Sequence, residues 1–456
     1  MSKILSQPRF TCALGAQQTV LAIPGAIPII HAGPGCSIKV FDFAATGAGR
    51  QGEGYAGGNH VACTNTGESE VVFGGEDKLR SVIDGALKVL KGDLYVALSG
   101  CTAGIIGDDV EAVANEFARQ GYPLVGVETA GFRGNNYFGH EAVVRGIIDQ
   151  FVGDAEPAVR RGVVNVFSVV PFQDPYWRGD LEQLKTLLEK IGLTVNILFG
   201  VGSGGAEEWK SIPDAEFNLL VSPWVGLSTV EHLRQKYGTP YFHYPLLPVG
   251  AKETGKFLRA VGKYANIPGR TVEKVIAQEE KRYYDYFISI GDFIALYQNN
   301  LPYELYIAAD SLYSVSIAKY LESEAGYIPK GIYAIDDPNE ENSALVRKAA
   351  AENLPEYGDL LTIEADGELI TEDIRQKAGK SKRALLLGSD WEREIARETG
   401  NLFLYISNPI NQKLIIQKTY AGYQGGLNLL EDIYSSLFTG KEVSANTYVE
   451  SLAGNA

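Results

Sequence analysis

The sequence predicts an α/β protein of several domains built on parallel sheets. Its 456 residues exceed what one hydrophobic core normally organises, and domains of about 100–200 residues would give two to four of them. Hydrophobic residues make up 45% of the chain and charged residues 21%, which is typical of a compact α/β protein. Short apolar runs that end in glycine alternate with helical patterns, as expected for parallel strands joined by crossover helices.

The clearest early unit of this kind lies at 93–120. The run Asp93–Leu98, DLYVAL, is typical of a buried strand, and the residues of 108–120 have a helical pattern. Ser99, Gly100 and Cys101 lie between them. Cys101 is therefore expected just beyond the carboxyl end of a parallel strand, where open α/β sheets bind their ligands.

The rest of the chain repeats this alternation. A helix is expected where Leu181, Leu184, Leu187, Leu188 and Ile191 share one face, and another over Leu312–Glu324. Strands are predicted at 163–172, 193–200, 217–223, 304–310, 331–337, 385–389 and 402–407. We therefore predict three Rossmann-like domains, at 1–158, 159–275 and 276–456, with every cysteine in the first.

Charge and hydropathy exclude two classes of partner. Fifty-six acidic residues against 41 basic ones give a formal net charge of −15, and no basic run interrupts this balance, so we expect no nucleic acid partner. No apolar run approaches the roughly 18–20 residues that span a bilayer, and MSKILSQPRF lacks the apolar core of a secretory signal. We expect a cytoplasmic protein that does not bind membranes.

The four cysteines are candidates for metal binding. Cys12, Cys36, Cys63 and Cys101 all lie in the first quarter of the chain, and in a reducing cytosol such a group favours metal or catalysis over disulfides. Their spacing contains no CxxC pair, but small residues adjoin the first, second and fourth, which leaves room for a bulky ligand. From the residues alone, burial as small apolar side chains remains an equal alternative.

Three other features are better explained by structure than by chemistry. His31, near a strand end, is expected to make a structural hydrogen bond. The glycine-rich stretch 47–58, GAGRQGEGYAGG, lacks the lysine of a phosphate-binding loop, so it predicts a surface loop and no nucleotide site. Asp108 and Asp109 are expected to complement the positive end of a helix dipole.

Several motifs, taken in order, resemble the nitrogenase component 1 family. They are FTCALGAQ (10–17), HAGPGC (31–36), VVFGGEDKL (71–79), CTAGIIGDDVEAV (101–113), GFRGNNYFGHE (131–141), KYGTPYFHYPLLPVGAKETGKFL (236–258) and TYAGYQGGLNLLEDIYSSL (419–437). The resemblance spans nearly the whole chain and implies the three-domain fold of that family.

The resemblance also implies a cofactor and partners. In this family three cysteines of each subunit bind the P-cluster, an [8Fe-7S] cluster at the interface of α- and β-type subunits, with a [4Fe-4S] cluster in some relatives. The matching residues are Cys12, Cys36 and Cys101, while Cys63 falls where some β-type subunits carry a cysteine that is not a ligand. An α2β2 heterotetramer and an ATP-dependent iron protein as electron donor are implied.

Two replaced ligands indicate which subunit type the chain resembles. The α-type subunit holds the active-site cofactor through one cysteine and one histidine, and the matching positions here are Ser222 and Gln424. A hydroxyl and a neutral amide are poor iron ligands. The chain therefore resembles the β-type partner, an oxidoreductase subunit with no catalytic residue of its own.

Departures from the family pattern bear on the substrate. HAGPGC replaces the usual HGSQGC or HGGQGC, and GFRGNNYFGHE resembles the α-type motif more than the β-type one. These departures favour a nitrogenase-like relative, such as the methylthio-alkane reductases that cleave carbon–sulfur bonds. The alternatives are a true Mo, V or Fe-only nitrogenase β subunit that reduces dinitrogen, and a scaffold for cofactor assembly.

Overall fold

The first sheet has four parallel strands, and the four cysteines lie in these strands or in the segments that adjoin the sheet. The computed structural model describes residues 5–36, 61–380 and 383–453, with the side chains of the last helix described as far as Phe438. The strands lie in the order β2-β1-β3-β4, with bounds β1 (Ala26–His31), β2 (Ala62–Cys63), β3 (Leu94–Ser99) and β4 (Leu124–Val127).

Helices follow these strands as the crossover connections of a parallel sheet require. They are α1 (Ala16–Leu21), α2 (Glu68–Phe73), α3 (Glu76–Val89), α4 (Cys101–Ile106), α5 (Val110–Ala118) and α6 (Asn136–Gly146), with short helical turns at Ala13–Gly15 and Gly131–Arg133 and a π-helical turn at Ile147–Val152. The apolar face of α3, with Leu79 and Ile83, packs with Val113 of α5 onto Ile29 and Ala97 of the sheet. Each fully buried aliphatic side chain there stabilises the fold by roughly 1.5–3 kcal/mol.

The second sheet also has four parallel strands. Its order is β6-β5-β7-β8, with β5 (Arg160–Phe167), β6 (Thr194–Asn196), β7 (Ala215–Val221) and β8 (Tyr241–Tyr244), and its helices are α7 (Trp177–Lys190), α8 (Ala206–Lys210) and α9 (Leu227–Tyr237). Asn165 of β5 lies beside Asn196 and Asn218 in the register. Their buried amides bond across the three strands, at 2.9 Å from Asn196 Nδ2 to Asn165 Oδ1 and 2.8 Å from Asn165 Nδ2 to Asn218 Oδ1.

The third sheet has five parallel strands in the order β11-β10-β9-β12-β13. They are β9 (Glu304–Ala309), β10 (Ile328–Ala334), β11 (Leu361–Ile363), β12 (Ala384–Gly388) and β13 (Leu402–Tyr405). The helices of this part are α10 (Gly250–Tyr264), α11 (Gly269–Ser289), α12 (Gly291–Tyr297), α13 (Ser311–Ala325), α14 (Glu340–Asn353), α15 (Gly367–Ala378), α16 (Asp390–Thr399) and α17 (Gly422–Ala453).

The chain divides into two compact units. One consists of Phe10–Pro245 with Leu414–Gln417 and holds the first two sheets; the other consists of Leu246–Lys413 and Lys418–Ala456 with the N-terminal segment up to Arg9. Three parallel sheets with interleaved helices confirm the predicted α/β class. The domain boundaries at 158 and 275 stay a prediction. Within the described residues, no helix combines the length and apolar character needed to cross a bilayer.

Candidate metal centre

The topology brings the predicted cysteine ligands toward one edge of the first sheet. β1 and β3 are neighbours, and their last residues, His31 and Ser99, are paired in the register. Cys36 follows the first of these strands and Cys101 begins α4 directly after the second. The backbone of Cys12 forms an isolated antiparallel bridge with Asn135, which lies in the segment after β4. All three cysteines therefore belong to connections at the carboxyl edge of the sheet, as predicted for Cys101.

Cys12 and Cys101 converge over Gly131. A Cβ atom added to this glycine would lie 2.9 Å from Cys101 Sγ and 3.1 Å from Cys12 Sγ. Both thiols therefore lie around one point that any larger residue would fill, although the two cysteines are far apart in sequence. Both side chains are exposed in the isolated chain. We call this space between the two sulfur atoms, which the absent side chain of Gly131 leaves open, the cradle.

Cys36 is tied to the same region through α1. Gln17 of that helix is buried, and its Nε2 donates to the Cys36 carbonyl at 3.2 Å. The Cys36 amide donates to the Gly33 carbonyl at 3.3 Å, which closes a helical turn. Because α1 begins just after the turn that Cys12 precedes, one short element holds the backbone near two of the three cysteines.

Cys63 has a different environment. It lies in β2 opposite Ile30, and its thiol contacts the Ala32 carbonyl at 3.4 Å while accepting from the Asn65 amide at 3.4 Å. The side chain is half-buried against this backbone. Such contacts are those of a packed thiol.

His31 is structural, as the sequence predicted. The buried imidazole lies 2.8 Å from Asp108 Oδ2 through Nε2 and 3.1 Å from Thr64 Oγ1 through Nδ1. Asp108 also accepts from the Gly75 amide, so its carboxylate lies at the N-terminus of α3 and not on the first turn of the helix that follows it in sequence. Asp109 does cap the helix that follows it, α5, because its Oδ1 accepts from the Ala112 amide at 2.8 Å.

His140 is a buried residue to which the sequence analysis assigned no role. It lies on α6, its Nδ1 is 2.9 Å from Thr19 Oγ1, and its ring centroid is 5.5 Å from that of Phe199. Burial lowers the pKa of His140 from its ordinary 6.5 to about 4. The only sequence signal was its place at the end of GFRGNNYFGHE, where Gly139 lets the helix approach the Ala13 carbonyl so closely that no Cβ would fit.

Ser222 and Gln424 are the positions that the resemblance matches to α-type ligands of the active-site cofactor. Ser222 is buried after β7, and its carbonyl accepts from His243 Nε2 at 2.7 Å. Gln424, in the other unit, is exposed near the start of α17, with its Nε2 donating to Asn428 Oδ1 at 2.9 Å. The predicted surface loop at 47–58 lies outside the described residues.

Exposed apolar side chains lie on the elements that carry or contact the two converging thiols. Phe73 at the end of α2 is 88% exposed, Ile105 of α4 is 75% exposed, and Phe132 beside Gly131 is 61% exposed. A Cβ on Gly104 would lie 3.1 Å from the Phe132 ring, so α4 and the Gly131 turn are in contact. We call Phe73, Ile105 and Phe132, with the two thiols, the cysteine face. Grouped exposed apolar side chains mark interaction surfaces.

The thiol donors are of the kind that iron–sulfur clusters take as ligands. Nowhere in 5–36, 61–380 or 383–438 do three histidine, cysteine or acidic side chains stand close enough to hold one metal ion. A cluster, however, takes its thiolates at different iron atoms, so its ligands need not meet at a point. Soft thiol donors and the open cradle at Gly131 fit such a group.

Comparison with known proteins decides the family. Residues 11–438 match the family model described as nitrogenase component 1 type oxidoreductase. The chain belongs to this family. The predicted resemblance to nitrogenase component 1 is thereby confirmed.

Relatives of the component 1 type include both chain types. The chain is 26% identical over 384 residues to the nitrogenase molybdenum-iron protein alpha chain of Methanothermobacter thermautotrophicus, covering 83% of this chain and 75% of that one. It is 24% identical over 467 residues to the nitrogenase vanadium-iron protein beta chain of Trichormus variabilis, covering 95% and 94%. A solved structure described as nitrogenase Cp1 at pH 6.5 shares the fold, with a TM-score of 0.75 at 18% identity over 96% of this chain and 94% of that chain.

Proposed function

We propose that this chain is the β-type subunit of a nitrogenase-like reductase. Cys12, Cys36 and Cys101 hold half of an iron–sulfur cluster shared with an α-type subunit in a cytoplasmic α2β2 complex. The cluster, an [8Fe-7S] P-cluster or a [4Fe-4S] variant, relays electrons from an ATP-dependent iron protein to the active-site cofactor of the partner. The observation that carries the proposal is the convergence of two exposed thiols, Cys12 and Cys101, over Gly131.

The residues of this chain hold and shield the cluster. A bound cluster supplies one-electron storage, and its potential depends on ligand charge, hydrogen bonds to sulfur and solvent exposure. Gly131 leaves space between the Cys12 and Cys101 thiols. Gln17 fixes the backbone at Cys36, because its amide is buried and bonded to that carbonyl. Among the described residues nothing lies within 4 Å of a Cβ added to Gly35.

The cysteine face supports a shared site. Phe73, Ile105 and Phe132 are too exposed to stabilise the isolated chain, whereas a partner subunit laid over them would bury apolar area and exclude water from the thiols. The exclusion of water strengthens electrostatic interactions at the cluster. The net charge of −15 does not oppose docking, since local complementarity governs such contacts.

Ser222 and Gln424 support the β-type assignment. Each stands where the resemblance expects an α-type ligand of the active-site cofactor, and neither supplies thiolate or imidazole. With no such ligands here, the reaction itself belongs to the partner subunit.

We propose reductive cleavage of the carbon–sulfur bond of small methylthio-alkanes as the reaction. The motif departures HAGPGC and GFRGNNYFGHE favour it over dinitrogen reduction. The second candidate, a dinitrogen-reducing nitrogenase β subunit, is favoured by the nearly full-length match to the vanadium-iron protein beta chain. A scaffold for cofactor assembly would share the cysteine site but turn over no substrate.

A direct assay separates these functions. The chain is co-expressed with its α-type partner, purified without oxygen, and supplied with the iron protein, ATP and reductant. We expect a thiol and an alkane from a methylthio-alkane and little ammonia from dinitrogen. Ammonia as the main product would identify a nitrogenase, and release of intact cofactor to a second apo-reductase without turnover would identify a scaffold.

A further inference from the structure

The backbone on both sides of Cys12 is hydrogen-bonded to the segment 134–136, where α6 begins. Thr11 and Asn136 exchange two hydrogen bonds: the Thr11 amide donates to Asn136 Oδ1 at 3.1 Å, and the Asn136 amide donates to the Thr11 carbonyl at 2.9 Å. On the other side of Cys12, the Ala13 amide donates to the Gly134 carbonyl at 2.9 Å. Both neighbours of Cys12 are therefore fixed to one segment, and Asn136 is the only side chain in these three bonds.

Asn136 also connects the backbone around Cys12 to the turn that follows β5 of the second sheet. Its Nδ2 donates to Gln173 Oε1 at 2.9 Å, while its Oδ1 accepts from Thr11. Asn136 is 3% exposed and Gln173 is 6% exposed, so both amides are withdrawn from water. A buried amide that is hydrogen-bonded at both its oxygen and its nitrogen has a defined orientation. A 180° flip would place its NH₂ group against a donor and its oxygen against an acceptor.

Gln173 lies in a turn that holds it rigidly. The turn follows β5, and the amides of Gln173 and Asp174 both donate to the Val170 carbonyl, at 3.2 and 2.9 Å. Phe172, immediately before Gln173, has a φ of 63° although it has a large buried side chain. Residues other than glycine adopt this left-handed conformation only where the surrounding structure demands it, and such outliers are concentrated at functional sites.

We propose that Asn136 and Gln173 are positioning residues that hold the Cys12 thiol at the cluster site. The second sheet, which has no cysteine, thereby takes part in the metal centre of the first through two hydrogen bonds. This inference rests on the proposed function, in which Cys12 is a cluster ligand. Neither residue touches the cluster; both act through the backbone of Thr11.

The test measures the position of the Cys12 thiol in the metal-free full chain. Dibromobimane becomes strongly fluorescent when both of its arms have reacted with thiols, and peptide mapping identifies the bridged pair. In the wild type we expect Cys12–Cys101 bridges. In Asn136→Leu the bridged yield, divided by single alkylation at Cys101, should fall about fivefold, the factor that one lost hydrogen bond of ordinary strength represents.

Two further variants separate positioning from stability. Asn136→Asp keeps an oxygen that accepts from Thr11 and should recover most of the bridging. Asn196→Ala removes another buried amide of the same unit, which donates to Asn165, and should leave bridging unchanged although it destabilises the fold. Wild-type bridging in a folded Asn136→Leu chain, shown by its circular dichroism, would overturn the inference, as would an equal loss in Asn196→Ala.

The complex with the α-type partner gives the second readout. If the inference holds, Asn136→Leu changes the electron paramagnetic resonance spectrum of the cluster or its midpoint potential, whereas Asn196→Ala changes neither. An unaltered spectrum and potential in Asn136→Leu would contradict it. A wild-type complex without iron would overturn the proposed function instead, and the bridging assay would still test whether Asn136 positions Cys12.

Discussion

At the scale of single residues, the proposed metal centre depends on positions that carry no metal-binding chemistry themselves. The two thiols beside Gly131 come from positions far apart in sequence, and the glycine leaves the space between them open. Sequence motifs predicted which cysteines to consider, because thiols are rare in this chain. They could not predict the supporting roles of Gly131, Gln17 and Asn136, since those depend on contacts between segments distant in sequence.

Gly131→Ala should prevent cluster binding without unfolding the chain. The new methyl group would lie at 2.9 and 3.1 Å from the Cys101 and Cys12 sulfurs, closer than ordinary van der Waals contact, and it would occupy the cradle. We expect iron in the purified complex to fall well below that of the wild type at a similar thermal midpoint. Gly85→Ala is the matched control, because nothing lies within 4 Å of its added Cβ. Full iron in Gly131→Ala would contradict the assigned cradle.

His140 should make stability depend on pH. The buried imidazole has a pKa of about 4, below its ordinary 6.5, so the unfolded chain binds more protons between these values. The free energy of unfolding should therefore fall as the pH is lowered from about 6.5 to about 4. Urea unfolding of the wild type and of His140→Asn across this range checks it: the difference between the two should shrink toward low pH. A constant difference would mean that His140 titrates normally.

At the scale of secondary-structure elements, the sequence predicted the long buried strands well. DLYVAL at 93–98 corresponds to β3 and ELYIAAD at 304–310 to β9, because continuous apolar runs are typical of strands covered on both faces. The strand predicted at 193–200 is shorter in the structure, at Thr194–Asn196. No strand bounds were predicted for β1, although it has six residues. The shorter β2, β4, β8 and β11 were also not predicted, since each has at most four residues and depends on pairing with a neighbour for its stability.

Asn165 should be an important stabilising residue of the second sheet. Its Nδ2 donates to the Ile212 carbonyl at 2.9 Å as well as to Asn218, and its Oδ1 accepts from Asn196. Asn165→Leu would leave these buried partners unsatisfied, at a cost of about 3 kcal/mol in the free energy of unfolding. Urea unfolding followed by tryptophan fluorescence measures it. A variant as stable as the wild type would show that the amide ladder contributes little.

At the scale of the whole molecule, the N-terminal segment is attached to the unit built on the third sheet. The Ser6 and Gln7 amides donate to the Asp366 carboxylate at 3.1 and 3.2 Å, and the Arg9 guanidinium forms a fully buried ion pair with Glu392 at 2.6 Å. The sequence offered no signal for this pairing, because the partners are separated by most of the chain. Composition and the alternation of strand and helix patterns sufficed for the fold class, whereas long-range charge pairs needed the structure.

Arg9→Met should destabilise that unit strongly. Removing one partner of a buried ion pair leaves Glu392 uncompensated and typically costs about 3–5 kcal/mol. The double variant Arg9→Met with Glu392→Gln removes both charges and should regain part of this loss. Thermal unfolding of the single and double variants tests it. A double variant with the summed loss of both single changes would contradict coupling between the two residues.

The central claim, that three cysteines of this chain bind an iron–sulfur cluster, is tested most directly by counting iron and acid-labile sulfide in the anaerobically purified complex. Wild type and Cys63→Ala are compared with Cys12→Ala, Cys36→Ala and Cys101→Ala. We predict that Cys63→Ala keeps wild-type iron and sulfide, while each of the other three loses most of both. Full iron and sulfide content in Cys36→Ala would contradict the claim.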